Sequence, residues 1–141
     1  MSLKGKVVLV TGAGGGIGKS IALSFGKEGS KVVVSGRSEG NIQETKDEIV
    51  AHGGEAIAIK CDAGSIKEID HLFEEIIKEY GRIDVLVNNV GVAGPTKPVV
   101  DMEVEEWDET LTVNLRSQFY SIKLAAPYMI MQGGGKIINI S

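Results

Sequence analysis

The chain has 141 residues, 43% of them hydrophobic and 24% charged, and a formal net charge of −4. That length supports one real core, so residues 1–141 read as a single domain, and an acidic balance without a Lys/Arg run argues against a nucleic-acid surface. A lone Cys61 excludes an internal disulfide framework, and His52 and His71 lack neighbours at ligand spacing, which argues against a metal site.

Residues 6–11 read as a first, apolar strand. Thr11-Gly12-Ala13-Gly14-Gly15-Gly16-Ile17-Gly18 follows it and opens a helix whose apolar face carries Ile17, Ile21 and Phe25. A second strand is expected at 31–35, a weaker helix at 40–51 ended by Gly53-Gly54, and a third strand at 55–60. Ile66, Ile69, Phe73, Ile76, Ile77 and Tyr80 fall largely at steps of three and four and mark one face of a helix. A fourth strand is expected at 83–88. Trp107, Leu111, Leu115, Phe119, Ile122 and Ala126 mark one face of a long helix over 104–131, and both sets read as core positions. Pro127 is expected to kink that helix or mark its end. Gly133-Gly134-Gly135 then turns into a last strand at 136–140.

Val/Ile runs without polar alternation imply strands buried on both faces. With right-handed crossovers this gives an α/β class: a Rossmann-like doubly wound parallel sheet of about five strands with helices on both faces. The N-terminus, Met1-Ser2-Leu3-Lys4-Gly5, leads straight into a strand. No signal-peptide pattern or membrane-length apolar run is visible, so a cytoplasmic location without membrane attachment is expected.

The glycine turn is the strongest chemical signal. Glycines let the backbone bend tightly and let an anion approach, and a helix start offers free N–H groups and a positive dipole end. Gly-x-Gly-x-x-Gly does not fit, because position 17 is Ile when counting from Gly12. The phosphate loop Gly-x-x-x-x-Gly-Lys-Ser fails too, since Gly18-Lys19-Ser20 would need a glycine where Ala13 stands. Thr-Gly-x-x-x-Gly-Ile-Gly does fit. In open α/β sheets ligands sit at the carboxyl ends of the strands. The residues after the first four strands suit that place: Thr11–Gly18, Ser35-Gly36-Arg37-Ser38, Cys61-Asp62-Ala63 and Asn88-Asn89-Val90-Gly91.

With Thr11-Gly12-x-x-x-Gly16-Ile17-Gly18, Asp62, Asn88-Asn89-x-Gly91 and Asn114, the chain resembles the N-terminal part of a short-chain dehydrogenase/reductase from about residue 4 onward. One departure is Val90, where the family usually has Ala. The resemblance implies that Gly12, Gly14, Gly15, Gly16, Ile17 and Gly18 wrap a cofactor diphosphate. It implies that Asp62 takes the adenine amino group, that Ala63 offers a backbone N–H, and that Asn89 and Gly91 line the adenosine ribose. The residues also allow blander roles: Asp62 as a helix cap or turn former, and the Asn pair as a turn.

An NAD site wants an acid after the second strand to accept from the ribose hydroxyls. Here Gly36 is followed by Arg37 and Ser38, and a guanidinium suits a 2′-phosphate, so NADP is favoured over NAD. The alternatives are a solvated Arg37 and a Glu39 that reaches the ribose. Asn114 lies mid-helix, where Asn is a poor former, flanked by Leu111 and Leu115. By resemblance it is a catalytic residue that binds a water in a proton relay and distorts its helix.

The family's chemistry is hydride transfer between nicotinamide and an alcohol or carbonyl carbon, with a Tyr-x-x-x-Lys pair as acid/base. Tyr80, Tyr120 and Tyr128 are followed four residues later by Asp84, Leu124 and Gln132, so that pair is absent, and Ser141 aligns with the first of two expected serines. The chain therefore reads as an N-terminal, cofactor-binding portion without turnover of its own. An apolar edge near 136–140 and a stripe on the 104–131 helix suggest a homo-oligomer. The competing readings are a non-catalytic nucleotide-binding module or subunit and a remnant that binds nothing.

Overall fold

The computed structural model describes residues 2–141; Met1 lies outside them. Five strands, β1 (Val7–Val10), β2 (Lys31–Gly36), β3 (Glu55–Lys60), β4 (Val85–Asn88) and β5 (Lys136–Asn139), alternate with helices. The helices are α1 (Gly16–Lys27), α2 (Glu39–Ala51), α3 (Ile66–Tyr80), α4 (Val104–Leu111) and α5 (Ser117–Met131). All strand pairs are parallel, in the order β3-β2-β1-β4-β5, so the order reverses between β1 and β4. This is the Rossmann-like sheet expected from the apolar runs.

Strand parity sorts the core into two layers. Val8, Val10, Val32, Val34, Val85 and Val87 meet Ala22, Ile42 and Ile49 on the face covered by α1 and α2. Val7, Leu9, Val33 and Leu86 meet Ile69, Leu72, Phe73, Ile76, Ala125 and Met129 on the face covered by α3 and α5. No helix among the described residues is long and apolar enough to cross a membrane.

Two helices lay small residues, rather than the largest apolar ones of their expected faces, closest to the sheet. In α1 the buried residues are Gly18, Ala22 and Gly26; Ile21 and Phe25 are half-buried against the core, while Ile17 is 64% exposed. The reason is proximity: a methyl at Gly26 would come within 2.8 Å of Ile49 Cγ2, so only small residues fit against α2. The expected helix over 104–131 is broken by a π turn at Thr112–Arg116, and its stripe of Trp107, Leu111, Leu115 and Phe119 is exposed. Its buried face is Ser117, Ser121, Ala125 and Met129, small enough at most positions to approach the sheet; Ile122 and Ala126 are half-buried. A period finds a face, but it does not say which side of the helix meets the sheet. Pro127 neither ends nor interrupts α5, which continues to Met131.

At the N-terminal end of the sheet, Asp84 is 6% exposed and locks β1 to β4. Its Oδ2 accepts from the Val7 amide at 3.0 Å and from Arg82 Nε at 2.9 Å, and its Oδ1 accepts from Arg82 Nη2 at 2.6 Å. Burial opposes ionisation, but the Arg82 guanidinium and the Val7 amide outweigh it and hold the carboxyl below its usual range. A depressed carboxyl stabilises the fold above the unfolded pKa of about 3.9, and the contribution is lost as pH falls through the folded value. Asp84→Ala should cost about 2–3 kcal/mol at pH 7, because it strands a buried amide. Urea denaturation at pH 7 and below pH 3 checks this; the variant's deficit should shrink at low pH, and an equal deficit at both would contradict the ionic role.

Candidate functional site

The turn after β1 is held by backbone and side-chain bonds and leaves no room for a side chain at Gly12, Gly14 or Gly18. The Thr11 amide donates to Val87 O at 3.1 Å, and Thr11 Oγ1 accepts from the Asn89 amide at 3.0 Å. The Ala13 amide donates to Ser35 O at 2.9 Å, and Thr45 Oγ1 donates to Ala13 O at 2.9 Å. Gly12 and Gly16 take φ of 61° and 54°, left-handed values that favour glycine. Gly18 lies against the Gly12 carbonyl, and a methyl there would also come within 2.5 Å of Asn89 Nδ2. Gly14 lies against Asn41, where a methyl would come within 3.0 Å of its Cβ, whereas Gly15 and Gly16 face open space.

The start of α1 has no side-chain cap. The amides of Gly16, Ile17 and Gly18 find no acceptor among the described residues. Uncapped amides at a positive helix end, beside glycines with open space, are chemically suited to an anion. Ile17 contributes only its backbone there, since its side chain points into the outer groove along α1.

The loop after β2 carries Arg37 and Ser38. Ser38 caps α2, accepting from the Asn41 amide at 3.4 Å. Arg37 is exposed and joins no ion pair among the described residues.

After β3, Asp62 Oδ1 accepts from the Gly64 amide at 2.8 Å, and Asp62 O accepts from the Ser65 amide at 3.0 Å. The cap of α3 is Ser65, not Asp62, and Glu68 reaches back to the Asp62 amide at 3.1 Å. One Asp62 oxygen is thus committed to a turn. Cys61 beside it is buried, and desolvation, with Glu68 and Asp62 adding to it, pushes the thiol up to about 12. It is protonated at neutral pH and is no nucleophile.

After β4, Asn89 Nδ2 donates to Gly12 O at 3.2 Å, so this side chain fastens the glycine turn. Asn88 is buried and donates to Asn139 Oδ1 at 3.0 Å. Asn114 sits in the π turn, as its predicted distortion of the helix requires. Its Oδ1 accepts from the Val92 amide at 2.7 Å and its Nδ2 donates to Val92 O at 2.8 Å.

These loops meet around a cleft of about 220 Å³ at the carboxyl ends of the strands. Gly12 comes from the first, Gly36 and Arg37 from the second, Cys61, Asp62 and Ala63 from the third, and Asn89, Val90 and Gly91 from the fourth. Gly14, Gly15, Gly16, Ile17, Gly18, Ser38 and Asn114 are not on its wall; they shape the turn, the helix ends and the loop at Val92. Val92 and Val113 line it as well, and no local sequence signal marks either of them. The outer groove along α1 is larger, about 790 Å³, but the strand-end loops do not converge on it.

Residues 6–141 match the family described as short chain dehydrogenase. The chain belongs to the short-chain dehydrogenase family. This short-chain dehydrogenase chain is 40% identical over 141 residues to an uncharacterized oxidoreductase of Thermotoga maritima, covering 100% of itself and 55% of that protein. It spans about half the length of the curated relatives it matches. A metagenomic short-chain oxidoreductase solved in complex with NADP superposes with a TM-score of 0.96 at 40% identity, over 100% of this chain and 64% of that one. A 7α-hydroxysteroid dehydrogenase complexed with NADH and 7-oxo glycochenodeoxycholic acid gives 0.94 at 41%, over 99% and 54%.

The two glycine environments separate by substitution. Gly18→Ala forces the Gly12 carbonyl and Asn89 apart and should cost roughly 2–4 kcal/mol, the upper end of overpacking penalties. Gly15→Ala, with extended φ of −174° and open space, should stay within about 0.5 kcal/mol of the parent. Thermal unfolding of both variants measures the contrast, and equal losses would refute the contact.

Proposed function

We propose that this chain is the nicotinamide-dinucleotide-binding domain of an oxidoreductase that moves a hydride between nicotinamide and an alcohol or carbonyl carbon, with NADP preferred over NAD. The observation that carries this reading is the convergence of the strand-end loops on one cleft beside an uncapped helix start. The residues fit such a group. Open space at Gly15 and Gly16 and the free amides of Gly16, Ile17 and Gly18 suit a diphosphate. Gly12 and Gly14 supply the tight turn that aims those amides.

The free oxygen of Asp62 and the Ala63 amide suit an adenine edge, and Asn89 and Gly91 a ribose. Val90, at the cleft wall, narrows that side. Arg37, without an ion-pair partner among the described residues, and Ser38 at the start of α2 suit a 2′-phosphate. The bound nicotinamide would supply or accept the hydride. Asn114 belongs to the catalytic side of this assignment, and its paired bonds to Val92 support a role in holding that wall. Tyr120 donates to Asp70, which raises its hydroxyl pKa, and it stands off the cleft wall. The residues here bind and orient the ligand. A cytoplasmic setting suits the buried, unpaired Cys61, and the exposed Trp107–Phe119 stripe supports self-association.

Calorimetric titration with NADPH and NADH tests this reading. NADPH should bind more tightly. Arg37→Ala should weaken NADPH by roughly ten- to a hundredfold, the worth of charge-assisted hydrogen bonds, and barely alter NADH. Gly15→Ala should weaken both, since its methyl occupies the open cradle. Equal losses for both cofactors on Arg37→Ala would overturn the 2′-phosphate assignment, and no binding of either would overturn the dinucleotide reading.

A further inference from the structure

Both walls of the cleft are tied to one short segment. The π turn Thr112–Arg116 places Val113 on the cleft wall and holds Val92 through Asn114. Arg116 Nη2 donates to Gly64 O at 2.9 Å, across 52 residues of sequence. Residues two apart on a helical turn do not share a face, so Asn114 and Arg116 reach opposite walls from the same segment. The Gly64 carbonyl belongs to the turn that Asp62 closes with its own carboxylate and carbonyl. A methyl at Gly64 would come within 3.9 Å of Val113 Cγ2, so the turn also stands directly against the π segment. Arg116 joins no carboxylate among the described residues; its recorded partner is a backbone carbonyl.

We infer that Arg116 is a positioning residue: by holding the Gly64 carbonyl it sets where the Asp62–Ser65 turn stands, and so sets the affinity of the cleft for the adenosine end of its ligand. This rests on the dinucleotide reading above. A guanidinium stays charged and keeps a fixed fork of donors, which makes it a stiffer tie than an ammonium on a flexible stem.

The test compares the 141-residue chain with Arg116→Gln and Arg116→Lys. Arg116→Gln should weaken NADPH by roughly three- to tenfold, the worth of one hydrogen bond, with inorganic pyrophosphate affinity unchanged. Arg116→Lys should recover part of the loss. Amide exchange at Gly64 and Ser65 should quicken in Arg116→Gln while Val8 and Leu9 in β1 stay protected. Unaltered NADPH affinity overturns the inference, even with faster exchange at Gly64. An equal loss for pyrophosphate overturns it too, because Arg116 would then act as a distant charge. A parent chain that binds no NADPH fails before any substitution is compared, and that outcome overturns the dinucleotide reading and this inference together.

Discussion

The cleft depends on one close approach: the first turn of α1 lies against the carbonyl of Gly12, with the Asn89 amide wedged beside it. That contact exists only because Gly18 has no Cβ. It fixes the angle at which α1 leaves the glycine turn. It also spans the reversal of strand order, joining the end of β1 to the end of β4. Thr11 reinforces the same seam by accepting from the Asn89 amide. The uncapped amides of α1 are aimed by this seam rather than by any capping side chain. Open space at a helix start is usually filled by a Ser, Thr or Asp cap. Here glycine leaves it empty, which suits a ligand better than it suits the helix.

Around that seam the polar groups divide into those the fold uses and those it leaves free. Asp62 gives one oxygen to its own turn, Ser38 and Ser65 cap α2 and α3, and Asn89 and Asn114 hold backbone. Arg37 is left without an ion-pair partner among the described residues. Sites of this kind draw affinity from few groups, each held by structure that has a second task. Asn114 shows this most plainly. A π turn costs regular helix hydrogen bonding, and such turns recur at functional sites. Here it lets one segment hold Val92 with Asn114 and meet the Asp62–Ser65 turn through Val113 and Arg116.

Far from the cleft, Asp84 and Gln132 do the corresponding work at the other end of the sheet. Gln132 accepts from the Ile83 amide at 3.2 Å and donates to Ile83 O at 2.8 Å, tying the end of α5 to the approach to β4. The central strands are thus anchored at both ends by side chains that bond backbone. The exposed stripe of α4 and α5 is left over from this packing, because the small face of α5 is the one that can lie against the sheet.

Much was legible in the order of residues alone. Val/Ile runs announce buried parallel strands, glycines announce the turn, and short-range spacing places the helices, because each of these is a local consequence of backbone sterics and burial. The loops at the strand ends were legible for the same reason. Which side of a helix faces the sheet was not. Ile17 and the Trp107–Phe119 stripe mark apolar faces that the structure leaves outward, since the distance between helix and sheet admits only glycine, alanine and serine at most of the inner positions. The partners of Asn114, Arg116 and Asn89 lie 22, 52 and 77 residues away, and nothing local encodes such pairings. The sequence by itself determined the elements and the chemistry available at their ends; only the tertiary structure decided which of those groups are spent holding the fold and which remain free to hold a ligand, because that depends on what each side chain meets across the sheet.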